Sequence, residues 1–422
     1  MIPHMYLITT CFPPDVGGIE EYCHGLVREL PADSVTVSAP DRPGAAEFDR
    51  AQPFRVIRHR TLAPPAWRRR LVPYSRQAVY VPSFLGEPVS DNRGRLDIRP
   101  PKAERATTRA GLRSVRRVVD DVRPDVICLS SAFPLGYLAA GLPRDVPCVS
   151  FTHGIEASVA LSPVERWTIR RVADHVDVLT AVCDWTAERI GRAVGGRAPV
   201  ELVNLGVDTD LFHPDTDSST IRARHGLGTA PVCLCVGRLV PRKGQDQLIR
   251  AWPRVLRHVP DARLVIVGPG PDEQRLRRLV MRSPCPDRVL VTGGVPRDEV
   301  PLYFAAADVF AMPSRTRLAG LDLEGPGTVY LEAAAAGLPV VVGRSGGAPD
   351  SVVDGVTGVT VNGRSATDIA AAIAALLGNP ERSRAMGKAG RRRVELEYTR
   401  AHAARQLVAI TQRLGQRQAP ID

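Results

Sequence analysis

Short apolar runs recur along this chain, each followed by a loop bearing glycine or proline and then by a helical stretch. Met5 to Thr10 reads as a first strand and Cys11 to Gly18 as its loop. Ile19 to Leu30 follows as a helix, with Ile19, Tyr22, Cys23, Leu26, Val27 and Leu30 on one face. Further strands are expected at 35–38, 125–129, 147–152 and 176–181, with a helix from about Asp184. A second series begins near residue 205, with runs at 231–236, 262–268, 289–292, 309–312 and 339–342. These lack polar alternation, the mark of parallel strands covered on both faces. Helical stretches at 245–258 and 332–336 separate them. Strand and helix alternating on both sides of residue 205 constrain the chain to two α/β domains of doubly wound type.

The length, 422 residues, suits two domains. The expected boundaries are 1–204 and 205–398, with Asn204 to Pro214 as the linker. A terminal segment, 399–422, carries a helix at about 399–414 that crosses back to the first domain. Residues 60–104 are rich in Pro, Arg and Gly and read as an irregular insertion. Trp67, Tyr74, Tyr80 and Phe84 argue for some packing there.

Hydrophobic residues make up 44% of the chain, and no run is long enough to span a bilayer. The start, Met1 to Ile8, has neither a basic head nor a long apolar stretch. It reads as a first strand, which places the protein in the cytoplasm. Eight cysteines are scattered along the chain, and Cys233 and Cys235 sit in an apolar run. Without a second Cys/His pair they read as buried thiols rather than metal ligands. The net charge of +11 has one source: residues 55–123 hold 17 Lys and Arg against 6 Asp and Glu. Solvated helix faces explain this blandly, and attraction to an anionic lipid surface explains it more sharply. Nucleic acid ranks low, because stacking aromatics are not interleaved with the basic residues.

The chemistry concentrates between residues 237 and 349. Glu324 and Glu332 flank the glycine-rich Gly325-Pro326-Gly327-Thr328-Val329, which opens a helix. A helix start offers unpaired N–H groups to a phosphate, and carboxylates accept from hydroxyls. The pairing asks for a ligand with phosphates in the middle and a polyol at each end, which describes a nucleotide-sugar. Gly237 to Asp246 joins a strand to a helix, and Arg238 and Lys243 can reach one point from its two ends, as a pyrophosphate requires; alone this reads as a solvated basic turn, and the glutamate pair tips it to phosphate. Gly17 and Gly18, after the first strand, allow close backbone approach to a phosphate; a plain tight turn is an equal reading. His153, in Thr152-His153-Gly154, lies at a strand end where it could bond a sugar hydroxyl or a phosphate, although a lone histidine is more often structural. Gly294 and Val295 end another strand, where backbone groups could read a base edge; a strand-to-helix turn is an equal reading. Gly268-Pro269-Gly270 has Glu273 where a dinucleotide fingerprint needs its third glycine, which weakens a dehydrogenase reading.

Together these stretches resemble the retaining glycosyltransferases of family 4, whose signature is Glu-x7-Glu. Within that family the chain is most similar to bacterial GDP-mannose-dependent phosphatidylinositol mannosyltransferases. The residues behind this are Phe12-Pro13-Pro14 through Ile19, Thr152 to Gly154, Arg238 to Asp246, Pro313 to Glu332, and Gly346-Gly347-Ala348-Pro349. The resemblance implies a GT-B fold, two facing Rossmann-like domains with parallel sheets and a deep interdomain cleft. The implied catalytic set is His153, Arg238, Lys243 and Glu324. Arg238 and Lys243 would hold the donor pyrophosphate, Glu324 the hexose hydroxyls and Glu332 the ribose. Gly325, Gly327, Thr328 and Val329 would supply amides, Gly17 and Gly18 would approach the pyrophosphate, and Gly294 and Val295 would lie at the base. It further implies a metal-independent, cofactor-free hexosyl transfer with retention, most simply of mannose from GDP-mannose. The acceptor would be a phosphatidylinositol-type glycolipid at the inner face of the cytoplasmic membrane. Pro326 and Leu318-Ala319 depart from the resembled pattern. A soluble metabolite as acceptor, or a nucleotide-sugar epimerase or binder on the same fold, are the competing readings.

Overall fold

A computed structural model describes residues 2–15, 17–62, 88–90, 96–98, 102–133, 135–154, 156–157, 163–320 and 322–416. The chain divides into two compact units. The first comprises Met1–Ala181, Ala187–Val203 and Ala404–Asp422; the second comprises Val182–Thr186 and Asn204–Ala403.

The first unit is built on seven parallel strands. They are β1 (Met5–Ile8), β2 (Val35–Pro40), β3 (Arg55–His59), β6 (Val126–Leu129), β7 (Cys148–Thr152), β8 (Val178–Ala181) and β9 (Val200–Leu202). Their order is β3-β2-β1-β6-β7-β8-β9. Met5 of β1 pairs with Val35 on one side and Val126 on the other. All four β1 residues are buried, since helices cover both faces of a parallel sheet. The irregular reading of 60–104 falls largely outside the described residues, as do Trp67, Tyr74, Tyr80 and Phe84. Where that segment is described it is not irregular. β4 (Pro88–Ser90) and β5 (Leu96–Ile98) pair antiparallel, and a helix runs over Lys102–Val122.

The second unit has six parallel strands: β10 (Val232–Val236), β11 (Arg263–Val267), β12 (Val289–Gly293), β13 (Val309–Met312), β14 (Val340–Gly343) and β15 (Gly358–Val361). Their order is β12-β11-β10-β13-β14-β15. The helix Gln245–Val255 packs Leu248, Ile249, Trp252 and Val255 inward, and Trp252 is wholly buried. Each such side chain contributes about 1.5–3 kcal/mol of burial.

Both sheets grow outward in two directions from a central pair of strands, β1 and β6 in one unit and β10 and β13 in the other. At such a reversal the loops leave toward opposite faces and open a crevice beyond the strand ends. Chemistry-bearing loops therefore belong after β1, β6, β10 and β13.

One expected element is displaced. The helix placed at 332–336 runs over Thr328–Ala335, so Glu332 lies in its second turn. Thr328 and Val329 are β-branched and disfavour helix locally. The buried Tyr330 overrides that preference by anchoring the first turn, through its hydroxyl, to the end of β13.

Candidate functional site

In the second unit the loop after β10 turns at Gly237, exposes Arg238, and buries Leu239 and Val240. A short 3₁₀ turn, Pro241–Lys243, ends at Gly244, whose φ is 83°. A Cβ at Gly244 would collide with the carbonyl oxygen of Pro313, just past β13. Only glycine lets the two loops close to this distance. That approach delivers Lys243 to the carboxylate expected to serve the sugar: Lys243 Nζ donates to Glu324 Oε1 at 2.7 Å.

Sequence reasoning missed the second cation there. Arg242 Nε donates to Glu324 Oε2 at 3.3 Å, and Arg242 Nη1 lies 3.7 Å from Asp322. Its signal was visible in retrospect as the paired Arg242-Lys243. A further pair, Arg315 Nη2 to Asp246 Oδ1 at 2.8 Å, and a bond from Arg315 N to Arg242 O at 2.8 Å tie the same two loops. Glu324 is 6% exposed, so its charge depends on these cations rather than on water.

The backbone of Glu324 is held as firmly as its side chain. Its N–H donates to Ser345 Oγ at 3.1 Å, and its carbonyl accepts from Gly347 N at 3.1 Å. Gly346 has φ 54°, and a Cβ there would strike the Glu324 carbonyl. The Gly346-Gly347 pair is thus the seat of Glu324. The departures noted above lie on the same loop: Leu318 and Ala319 both have positive φ, and Arg317 bonds Asp322 across that turn at 3.2 Å.

The donor arithmetic of this cluster is informative. An ammonium has three N–H donors, and Lys243 commits one to Glu324. A carboxylate has about four acceptor sites, of which two face Lys243 and Arg242. The cluster can accept an anion at the lysine and hydroxyls at the glutamate at once. Arg238 is exposed, and its guanidinium has no partner among the described residues. The helix Thr328–Ala335 starts at Gly327 without a side-chain cap, which favours an anion at its amides. Tyr330, with its hydroxyl 2.9 Å from Met312 O and 2.8 Å from Ser314 Oγ, fixes where that helix points. Burial, and then the nearby Glu324 charge, push the Tyr330 hydroxyl far above its usual range. Gly325, Gly327, Thr328, Val329 and Glu332 are all half-buried, and Thr328 and Glu332 share one helix face. Gly294 and Val295 follow β12, two strands from β10 and hence about 10 Å to its side. Cys233 and Cys235 are buried in β10, and burial pushes the Cys235 thiol up to about 12.

In the first unit, His153 follows β7 and is half-buried. Its Nε2 lies 2.6 Å from the carbonyl of Ser130, at the end of β6, and a carbonyl can only accept. In the neutral ring the proton therefore sits on Nε2, and Nδ1 carries a lone pair. The ring lies edge-on to Tyr22 at 5.4 Å, and its backbone N donates to the buried Glu156 at 2.9 Å. Such a ring offers an acceptor, which suits a hydroxyl better than a phosphate oxygen. Gly17 and Gly18 begin the helix Gly18–Arg28 after β1. A Cβ at Gly17 would strike the carboxylate of Glu20, whereas Gly18 faces open space. That carboxylate ends a flexible side chain and Gly17 is extended, so neither position shows a backbone need for glycine.

Both halves of the chain match known family models, "Glycosyl transferases group 1" over residues 217–393 and "Glycosyltransferase Family 4" over residues 76–211. A GDP-mannose-dependent alpha-(1-6)-phosphatidylinositol monomannoside mannosyltransferase of Mycolicibacterium smegmatis is 41% identical over 397 residues, 92% of each chain. The chain belongs to the group 1 glycosyltransferases of family 4.

A Corynebacterium glutamicum relative, a GDP-mannose-dependent monoacylated alpha-(1-6)-phosphatidylinositol monomannoside mannosyltransferase, is 34% identical over 93% of each chain. Among solved structures, Anabaena HepE in complex with UDP and glucose superposes with a TM-score of 0.72 at 18% identity, covering 97% of this chain and 99% of that one. Sucrose-phosphate synthase from Thermosynechococcus elongatus gives 0.72 at 20%, covering 98% and 99%. These two establish the GT-B fold of the transferase: two Rossmann-like domains, each with its own parallel sheet.

Proposed function

We propose that this glycosyltransferase moves mannose from GDP-mannose to a hydroxyl of a phosphatidylinositol mannoside, with retention and without a metal. The observation that carries the reading is near-full-length identity to two mannosyltransferases of that acceptor class. The Lys243–Arg242–Glu324 cluster at the sheet reversal supplies matching chemistry. Arg238 and Lys243 offset the charge of the departing diphosphate, the work a divalent cation does elsewhere. Glu324 accepts from mannose hydroxyls and Glu332 from the ribose. Amides from Gly325 to Val329 support the phosphate or sugar, and Gly17 and Gly18 approach the pyrophosphate. Gly294 and Val295, in the loop after β12, offer backbone groups to the base. His153 accepts from a sugar hydroxyl through Nδ1.

In the transfer, the bond from the mannose anomeric carbon to the phosphate oxygen breaks as the acceptor oxygen bonds that carbon on the same face. The acceptor proton passes to the departing phosphate oxygen. A lipid acceptor of this kind fits an enzyme working in the cytoplasm, peripheral to the inner face of the membrane.

The test is direct. Purified protein with GDP-mannose and phosphatidylinositol monomannoside should release GDP and form the dimannosylated lipid, undiminished by EDTA. UDP-glucose or ADP-glucose in place of GDP-mannose should not support it. Arg238→Ala and Lys243→Ala should each largely abolish transfer. Near-normal turnover in either folded variant would remove the pyrophosphate assignment.

A further inference from the structure

In the first unit, the loop after β7 is closed on itself by one side chain. Glu156 reaches back three residues, and its Oε2 accepts from the backbone N–H of His153 at 2.9 Å. A glutamate that takes the N–H three places before it is the return half of a capping box. In a capping box, however, the residue after the cap is already helical. Here that residue is Gly154, whose φ of 92° turns the chain the other way. The bond therefore fixes a loop rather than a helix start. Glu156 is 2% exposed, and among the described residues its carboxylate pairs with no cation. Burying a carboxylate without a cation is costly. A turn alone does not ask for one, since a serine or asparagine serves as well.

His153 is held from both ends. Thr152 Oγ1 donates to Thr180 O at 2.8 Å, which ties the end of β7 to β8. Ala157, beside Glu156, is wholly buried, and its carbonyl accepts from Arg189 Nε at 3.2 Å. The carboxylate thus acts from an anchored backbone. At the far end of the imidazole, Nε2 meets Ser130 O at 2.6 Å, and the Tyr22 ring lies edge-on at 5.4 Å. Tyr22 is fixed in turn, its hydroxyl donating to Val203 O at 3.3 Å. A ring tethered at Nε2 alone can still swing about that bond if its Cα drifts. The Glu156 bond to His153 N supplies the second fixed point.

We propose that Glu156 is a positioning residue for the transfer: it locks the His153 backbone so that the ring, held at Nε2, keeps Nδ1 in one place. This rests on the sugar-accepting role of His153 proposed above. The bond between Glu156 and His153 N is charge-assisted, which makes it a stiffer anchor than a neutral partner would be. Its leverage exceeds its strength, because a misplacement of about 1 Å in a substrate-orienting group can cost about a hundredfold in rate.

The experiment compares Glu156→Gln, Glu156→Asp and Glu156→Ala in the whole protein, with melting and GDP affinity confirming that each is folded. Gln keeps both the reach and an accepting oxygen, and should hold kcat/KM within about threefold of the parent. Asp keeps the charge but is one methylene short, and should lose about tenfold, as should Ala. The opposite order, Asp active and Gln impaired, would overturn the proposal, because charge and not reach would then matter. Added to His153→Ala, Glu156→Ala should lower kcat/KM no further, since a residue that acts through His153 has nothing left to position. Glu156→Asp takes its place in this cycle if Ala does not fold. A full further loss sinks this inference and leaves the role of His153 standing. Parent-like kcat/KM in His153→Ala removes that role and this inference with it. A readout free of transfer comes from ¹⁵N-histidine spectra, in which the His153 signal is the one missing from His153→Ala. It should report a single Nε2-protonated tautomer in the parent and broaden or split in Glu156→Ala or Glu156→Asp. A signal unchanged in the variant would also overturn the proposal.

Discussion

Replacing Glu324 with Gln removes the charge that Lys243 and Arg242 share while keeping nearly the same shape. The side chains of Glu324 and Lys243 are only 7% and 11% exposed, so water cannot take over the solvation of the stranded ammonium. Breaking a buried pair from one side costs about 3–5 kcal/mol. Here the amide oxygen still accepts one bond, and Asp322 stays 3.7 Å from Arg242, so about 2–3 kcal/mol is expected. The second unit holds roughly 200 residues, for which each kcal/mol moves the midpoint by about 2–4 °C. Its melting temperature should fall by about 4–12 °C. The defect is specific: uncompensated positive charge. A diphosphate supplies the missing anion, so GDP should raise the melting temperature of Glu324→Gln by more than it raises that of the parent. Turnover should still fall, because the amide holds the sugar hydroxyls less well. Thermal melts with and without GDP, together with steady-state rates, separate the two effects. A variant that melts within about 1 °C of the parent, or one whose GDP shift disappears along with its activity, would refute the ion-pair argument.

Gly244→Ala should lose about 1–2 kcal/mol from left-handed backbone alone, and more from the clash with Pro313 O; a guanidinium titration would show the loss, and parent-like stability would disprove the forced approach of the two loops. Tyr330→Phe removes bonds to Met312 O and Ser314 Oγ and should cost about 1–3 kcal/mol by the same measurement. Because the folded Tyr330 hydroxyl titrates above its unfolded value, it contributes a stability that is full below pH ~10. That contribution is lost as pH rises beyond it, since the unfolded chain then holds fewer protons. Alkaline melts should therefore fall less steeply in Tyr330→Phe than in the parent. On the proposed role of Nδ1 as an acceptor for the sugar, His153→Ala should lower kcat/KM by about tenfold or more while leaving GDP affinity unchanged; weakened GDP binding would reverse that assignment.

Which parts were legible in the chain follows from where each residue sits in its sheet. Every interior strand of both sheets was legible, because a strand covered on both faces has no choice but continuous apolar residues, as in Val232 to Val236. β3, β9 and β15 were not legible, and all three are sheet edges. An edge strand may carry charge, and Arg55 and Arg58 on β3 hide its period. The same rule governs the site. Glu324, Arg238, Lys243 and His153 stood out as candidates because they fall on loops after inner strands and carry chemically versatile side chains, and the structure brings Lys243 onto Glu324. Arg242 was missed because its role is relational: beside Lys243 it looked like one more surface cation, and only the closure permitted by Gly244 turns it onto Glu324. Gly346 was noticed as part of a motif without a reason, and the reason, clearance for one carbonyl oxygen, exists only in three dimensions. The residues that stayed hidden are thus those that position others. A screen of Arg242, Ser345 and Gly346 variants should accordingly change kcat more than the affinity for GDP, since their contacts end on Glu324 rather than on the pyrophosphate cations alone. Equal losses in both would mean that Glu324 and the phosphate-binding lysine cannot be perturbed separately, and the division of labour drawn between them would fall.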